Sequence, residues 1–160
     1  MSDLSYQNGA RWEAYIRAEC RALEIAGLAF VSKNWEAPKL KGQYVKRETS
    51  KPDFSGFMPD GQHVVFEAKA ILGKVKSFPF SRIAKNQWER LDQAHKSGAV
   101  AFVYLLNGED KWVIPWEHLI QWVDKRASFP LTDCAAYVKY RGDTWLDIWN
   151  LIEKTYEDEP

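Results

Sequence analysis

Apolar and polar positions change period several times along the chain. From Asn8 to about Ala26, Trp12, Tyr15, Ile16, Cys20 and Leu23 recur at helical spacings, and Gly27 stands where a C-cap would sit, which predicts a first helix. An apolar stretch from Leu28 to Val31 follows. A polar, proline-containing connection then runs through Lys51, with a strand expected around Tyr44 and Val45. Pro52 to Phe57 and His63 to Lys69 have strand character, and the Pro59-Asp60-Gly61 turn between them predicts a hairpin. A loop rich in Lys and Gly leads through Ser77 to Phe80 into a helix expected from about Ser81 to His95. Ser81 is its expected N-cap, and Ile83, Gln87, Leu91 and Ala94 lie on related faces.

The run from Ala99 to Leu106 is uninterruptedly apolar, rich in β-formers and bounded by Gly98 and Asn107-Gly108, as suits a strand buried on both faces. Asn107-Gly108 turns it into a partner from Lys111 to Ile114. Pro115 ends that partner, and helices are expected from Trp116 to about Lys125 and from Thr144 to about Tyr156. This order predicts one α/β domain over residues 1–160, with a mixed central sheet flanked by helices.

A length of 160 residues agrees with a single domain. No apolar run approaches the roughly 20 residues that span a bilayer, and the polar start lacks a signal-peptide pattern, so a cytoplasmic protein without membrane association is expected. Cys20 and Cys134 form no C-x-x-C spacing and are expected as buried thiols. His63, His95 and His118 have no zinc-binding spacing. Without a Gly-rich phosphate loop, no nucleotide cofactor is expected. Trp112, Trp116, Trp122, Trp145 and Trp149 suit core packing of a C-terminal layer.

Zero net charge speaks by itself against a nucleic-acid partner. The average conceals an asymmetry: between Lys33 and Lys85 there are eleven Lys or Arg against five Asp or Glu. Lys46, Arg47, Lys51, Lys74, Lys76, Arg82 and Lys85 are the candidate DNA-contacting cations; the alternative is charges scattered over a solvated face.

Asp53, Glu67 and Lys69 carry the chemistry. Alternation along a strand puts Glu67 and Lys69 on one face, and the hairpin can bring Asp53 beside them. Their neighbours Val64 to Phe66 and Ala70 to Leu72 are apolar, so the charges occupy a segment that would otherwise be buried, and buried charges need partners or a metal. Two carboxylates, with the Ala68 carbonyl, match the hard oxygen ligands that Mg²⁺ prefers, with Mn²⁺ as a substitute. Lys69 would orient the attacking water or stabilise transition-state charge. The bland alternative is an exposed Glu-x-Lys with weak surface ion pairs.

Around this pattern the chain resembles the RecU-type Holliday-junction resolvases of the PD-(D/E)xK superfamily. The resemblance lies in Asn8 to Glu13, Asp53 to Gly56, Val65 to Lys69, Ser77 to Phe80, Gln87, and Gly98 to Val103, in the family's order. It implies a restriction-endonuclease-like fold, a homodimer, and Mg²⁺-dependent paired nicks in four-way DNA junctions, in a protein encoded by a bacterium or phage. It makes Asp53 and Glu67 metal ligands and Lys69 the catalytic lysine. It also adds Glu13, toward metal or its water, and Gln87, toward water or DNA. One departure stands out: the family's longer basic stalk before the Asp strand is reduced to Lys39 through Lys51, which leaves junction selectivity open. A nuclease of the same superfamily acting on duplex or flap DNA, and a DNA-binding domain that does not cut, are the competing readings.

Overall fold

The computed structural model describes residues 3–35, 51–131 and 143–157. In chain order these form α1 (Asp3–Ile25), β1 (Phe30–Lys33), β2 (Phe54–Phe57), β3 (His63–Ile71), β4 (Ser77–Pro79), α2 (Lys85–Lys96), β5 (Val100–Asn107), β6 (Asp110–Pro115), α3 (Trp116–Val123), β7 (Ser128–Pro130) and α4 (Trp145–Glu157), with a 3-10 turn at Phe80–Arg82. The expected strand around Tyr44 and Val45, and Cys134, lie outside the described residues. Cys20 is buried and free. No helix among the described residues is long and apolar enough to cross a membrane.

The main sheet has the order β1-β2-β3-β5-β6. It is mixed, because β3 pairs antiparallel with β2 and parallel with β5. The crossover between β3 and β5 carries α2, as a parallel connection requires. β5 is buried along almost its whole length on both faces, as its unbroken apolar run predicts.

One face of the sheet is covered by α1 and α4. There Phe54, Phe66 and Phe102 stand opposite one another on β2, β3 and β5 and stack with ring centroids 5.0 and 4.7 Å apart. Trp145 of α4 closes over Phe66 and Phe102 at 5.6 and 5.7 Å, and Trp12 of α1 packs on Tyr104 at 4.7 Å. Of the C-terminal tryptophans, Trp112, Trp116 and Trp145 are buried in the core as expected, and Trp122 and Trp149 pack against it partly buried. The opposite face carries α2 and α3, joined through Trp88 and Trp116 at 4.5 Å.

On the α1 side, Glu19 is buried and accepts from Tyr104 Oη (3.0 Å) and the Trp145 amide (2.6 Å), with Lys111 3.9 Å away. Burial raises its pKa. Where β2 crosses β1, Gly56 has no room for a side chain. A Cβ there would run into Phe30 O and come within 2.7 Å of Val31 Cα.

Two expectations need correction. The helix expected from Ser81 begins instead at Lys85; Phe80–Arg82 forms a separate 3-10 turn, and Ser81 caps nothing. The α2 start is closed by Gln87, whose Oε1 accepts from the Ala84 amide over 3.0 Å, one half of a capping box. Ser77 to Pro79, taken as part of a loop, pairs with Ser128 to Pro130 in a second, two-stranded sheet.

Candidate active site

Strand register sets Asp53 against Glu67. Phe54 faces Phe66 across the β2–β3 pair, and the next residues outward are Asp53 and Glu67. Alternation turns both away from the aromatic ladder, toward the α2 face. Asp53 precedes β2, so on its β2 side this end of β3 lacks a backbone partner, while β5 pairs its other side. Its Oδ2 supplies one by accepting from the Ala68 N–H over 2.9 Å. In an extended strand the N–H and C=O of a residue point to the same side, which directs the Ala68 carbonyl to this open edge as well.

Glu67 is only 1% exposed. Burial first, and then the Asp53 charge, push its pKa up to about 9, with partial relief from Lys69. Burial also lowers the Lys69 pKa, opposed by the charges of Glu67 and Asp53. Gln87 bridges the two: its Oε1 accepts from Lys69 Nζ over 2.9 Å, and its Nε2 donates to Glu67 Oε2 over 3.3 Å. The same oxygen that caps α2 therefore holds the lysine.

Glu13 approaches from α1. Its carboxylate pairs with Lys33 of β1, and it is close enough to Lys69 to favour the charged ammonium. Asp53, Glu67, Lys69 and Gln87 are thus brought together, with Glu13 at the rim. No three His, Cys, Asp or Glu side chains converge among the described residues. The carboxylates that meet are a pair.

Among the expected DNA-contacting cations, Lys46 and Arg47 lie outside the described residues. Lys51, Lys74, Lys76, Arg82 and Lys85 are all exposed. Arg82 lies within electrostatic range of Lys69, Lys74 pairs with Asp110 at 3.1 Å, and Lys85 with Glu89 at 3.9 Å.

Sequence reasoning missed Asn34. Its backbone N–H donates to Asp53 O over 2.8 Å, and its Nδ2 donates to Pro52 O (2.9 Å) and Ser55 Oγ (2.8 Å). It clamps the residues on either side of Asp53. No local pattern marks it, because its partners are 18 to 21 positions away.

A mixed sheet whose central strand carries Glu-x-Lys, with an Asp from the adjoining strand set against the Glu, is the arrangement of the PD-(D/E)xK nucleases. The family model described as "Recombination protein U" (RecU) matches residues 13–153, and the chain belongs to that family. It is accordingly a nuclease of the Holliday-junction-resolving type. Among solved structures it is similar to Hjc of Archaeoglobus fulgidus, a Holliday junction resolvase from an archaeal hyperthermophile. Identity is 18%, covering 82% of this chain and 88% of that chain, with a TM-score of 0.49. No curated protein matches the chain.

Proposed function

We propose that the protein resolves four-way DNA junctions by paired, metal-dependent nicks, acting as a homodimer in which each protomer supplies one site. The observation that carries this reading is the pairing of buried Glu67 with Asp53. Two carboxylates in one partly dry site repel each other, and a proton on Glu67 or a divalent cation relieves that repulsion.

The donors fit Mg²⁺: two carboxylates, with the Ala68 carbonyl on the same edge, match an ion that takes one or two carboxylates and completes its shell with water and phosphate oxygens. When bound, such an ion lowers the pKa of water and offsets charge building on the phosphate. Asp53 is held in place by the Ala68 N–H and, through its backbone, by Asn34. Lys69 presents a positive charge toward the phosphodiester, steadied by Gln87. Glu13 adds negative charge at the rim.

The deciding experiment incubates the protein with a labelled four-way junction and a matched linear duplex, with Mg²⁺, Mn²⁺ or EDTA. Symmetric nicks in the junction alone, abolished by EDTA, are expected. Comparable duplex cutting would make the protein a general superfamily nuclease. Binding without cleavage under every divalent ion would remove catalysis. Sedimentation with and without DNA tests the dimer.

A further inference from the structure

A cleft of about 440 Å³ lies between α2 and the β2–β3 hairpin, where Val65, two positions before Glu67, and Arg90, three positions after Gln87, help line it. Two periodicities make its walls. On β3, His63 stands four positions before Glu67 and shares its face. On α2, Arg90 and Gln93 follow Gln87 at steps of three and continue the side of the helix that meets the site. Lys51, Ser55 and Asn34 close the flank next to Asp53. From Val65 to His63 its lining runs roughly 7 Å along the strand.

Its chemistry is one-sided. Lys51 and Arg90 are cationic, His63 adds an imidazole, Asn34, Ser55 and Gln93 are neutral and polar, and among the described residues no carboxylate lines the cleft. This contrasts with the acidic pair of Asp53 and Glu67, which lie one and two positions along the chain from the lining residues Pro52 and Val65. Fixed positive charge beside amides and a hydroxyl, in a cleft walled by the same strand and helix that carry Glu67 and Gln87, complements a polyanionic backbone rather than base edges.

We propose that this cleft holds the sugar–phosphate backbone of the cut strand on one side of the scissile phosphate, with Arg90 and Lys51 meeting successive phosphates. The inference rests on the function proposed above and adds a strand-binding track to it. Because the contacts are to backbone, the track sets the strand's path without selecting sequence.

The test measures junction binding in EDTA over a salt series for wild type, Lys51→Ala, Arg90→Ala, the double variant, and Arg21→Ala as a control at an exposed α1 cation. Each lost phosphate contact lowers the slope of log affinity against log salt by about 1. The double variant is therefore expected to lose a slope of about 2 and at least about tenfold in affinity, with the control near wild type. Arg90→Lys keeps the charge and is expected to keep the slope, which separates loss of a cation from loss of packing.

Junctions carrying single neutral methylphosphonates, stepped along each side of the nick, locate the contacts. Wild type is expected to weaken at linkages on one side only, and the double variant to be insensitive there. An unchanged slope and affinity in the double variant, or equal sensitivity to the neutral linkages, overturns the track. If wild type still binds and cuts junctions, the proposed function survives that result. A wild type that neither binds nor cuts overturns both.

Discussion

Asp53 Oδ2 accepts from the backbone N–H of Ala68 over 2.9 Å, so a side chain takes the place of a ladder bond at the point where β2 ends and β3 continues. Asp53 therefore has both a charge to offer and an acceptor to supply. Asn in its place keeps an acceptor oxygen and loses the charge. Asp53→Asn is expected to fold, to bind junctions as wild type does, and to cut them at least about 100-fold more slowly, as loss of one transition-state electrostatic group typically produces. Single-turnover cleavage alongside gel-shift binding checks this, and full activity would remove Asp53 from the mechanism.

Gln87 uses one oxygen for two donors, the Ala84 amide and Lys69 Nζ. Gln87→Ala frees the lysine and uncaps α2 together. Activity is expected to fall about 10- to 100-fold, the usual cost of removing a group that orients catalytic side chains. Gln87→Glu keeps both acceptor contacts but adds charge beside Glu67, so it is expected to restore the cap, seen as recovered thermal stability, while shifting the metal concentration needed for half-maximal cutting.

Glu67 holds its proton more tightly in the folded protein, with a pKa of about 9, than at its ordinary value of 4.5. Its contribution to stability is complete below about 4.5 and is lost as pH rises through about 9. Lys69 acts in the opposite sense, since its lowered pKa favours the fold as pH rises toward its ordinary value. The clean measurement is thus the difference between wild type and Glu67→Gln. In metal-free buffer the variant is expected to gain on wild type in melting temperature between pH 5 and pH 9. Added Mg²⁺ or Mn²⁺ is expected to raise the wild-type melting temperature at pH 8 much more than at pH 5, by mass action on the ionised pair. A difference that does not vary with pH would mean that Glu67 is ionised throughout.

Asn34 fixes Asp53 from behind. Asn34→Ala leaves Pro52 O and Ser55 Oγ without their donor, at an expected cost of about 1–3 kcal/mol in denaturant unfolding. A purely structural role would leave turnover intact in the folded fraction. A positioning role predicts a fall in single-turnover rate with unchanged junction affinity.

Gly56 tests the fold instead of the chemistry. Gly56→Ala would drive a methyl into the β1 backbone, and a loss of more than about 3 kcal/mol is expected, since backbone offers no flexible end to yield. Near-normal stability would mean that β1 can shift away from β2.

The parts of this architecture legible in the sequence are those whose signals are local. The β2–β3 hairpin was marked by its turn, β5 by its unbroken apolar run, and the Asp–Glu–Lys set by charges inside an apolar stretch. The start of α2 was misplaced because Ser81 is a good cap by residue type. The real closure comes from Gln87, three residues into a helix whose N-cap, Ala84, has no side-chain acceptor. The small sheet went unseen because each strand is three residues long and ends in proline. Its only sequence trace is that Ser-Phe-Pro occurs twice, at 77–79 and 128–130, and the two copies pair with each other. Asn34 and the Arg90–Lys51 cleft depend on contacts between distant segments, which no window of sequence displays.

Because β3 alternates strictly, its residues answer to two separate demands. Phe66 belongs to the aromatic stack, while Glu67 and Lys69 belong to the site. In a saturation screen scored for both protein abundance and DNA cutting, substitutions at 64 and 66 should deplete the protein, and those at 67 and 69 should leave it abundant and silent. A single strand would then print its own pleat in the phenotype, one residue for architecture and the next for chemistry.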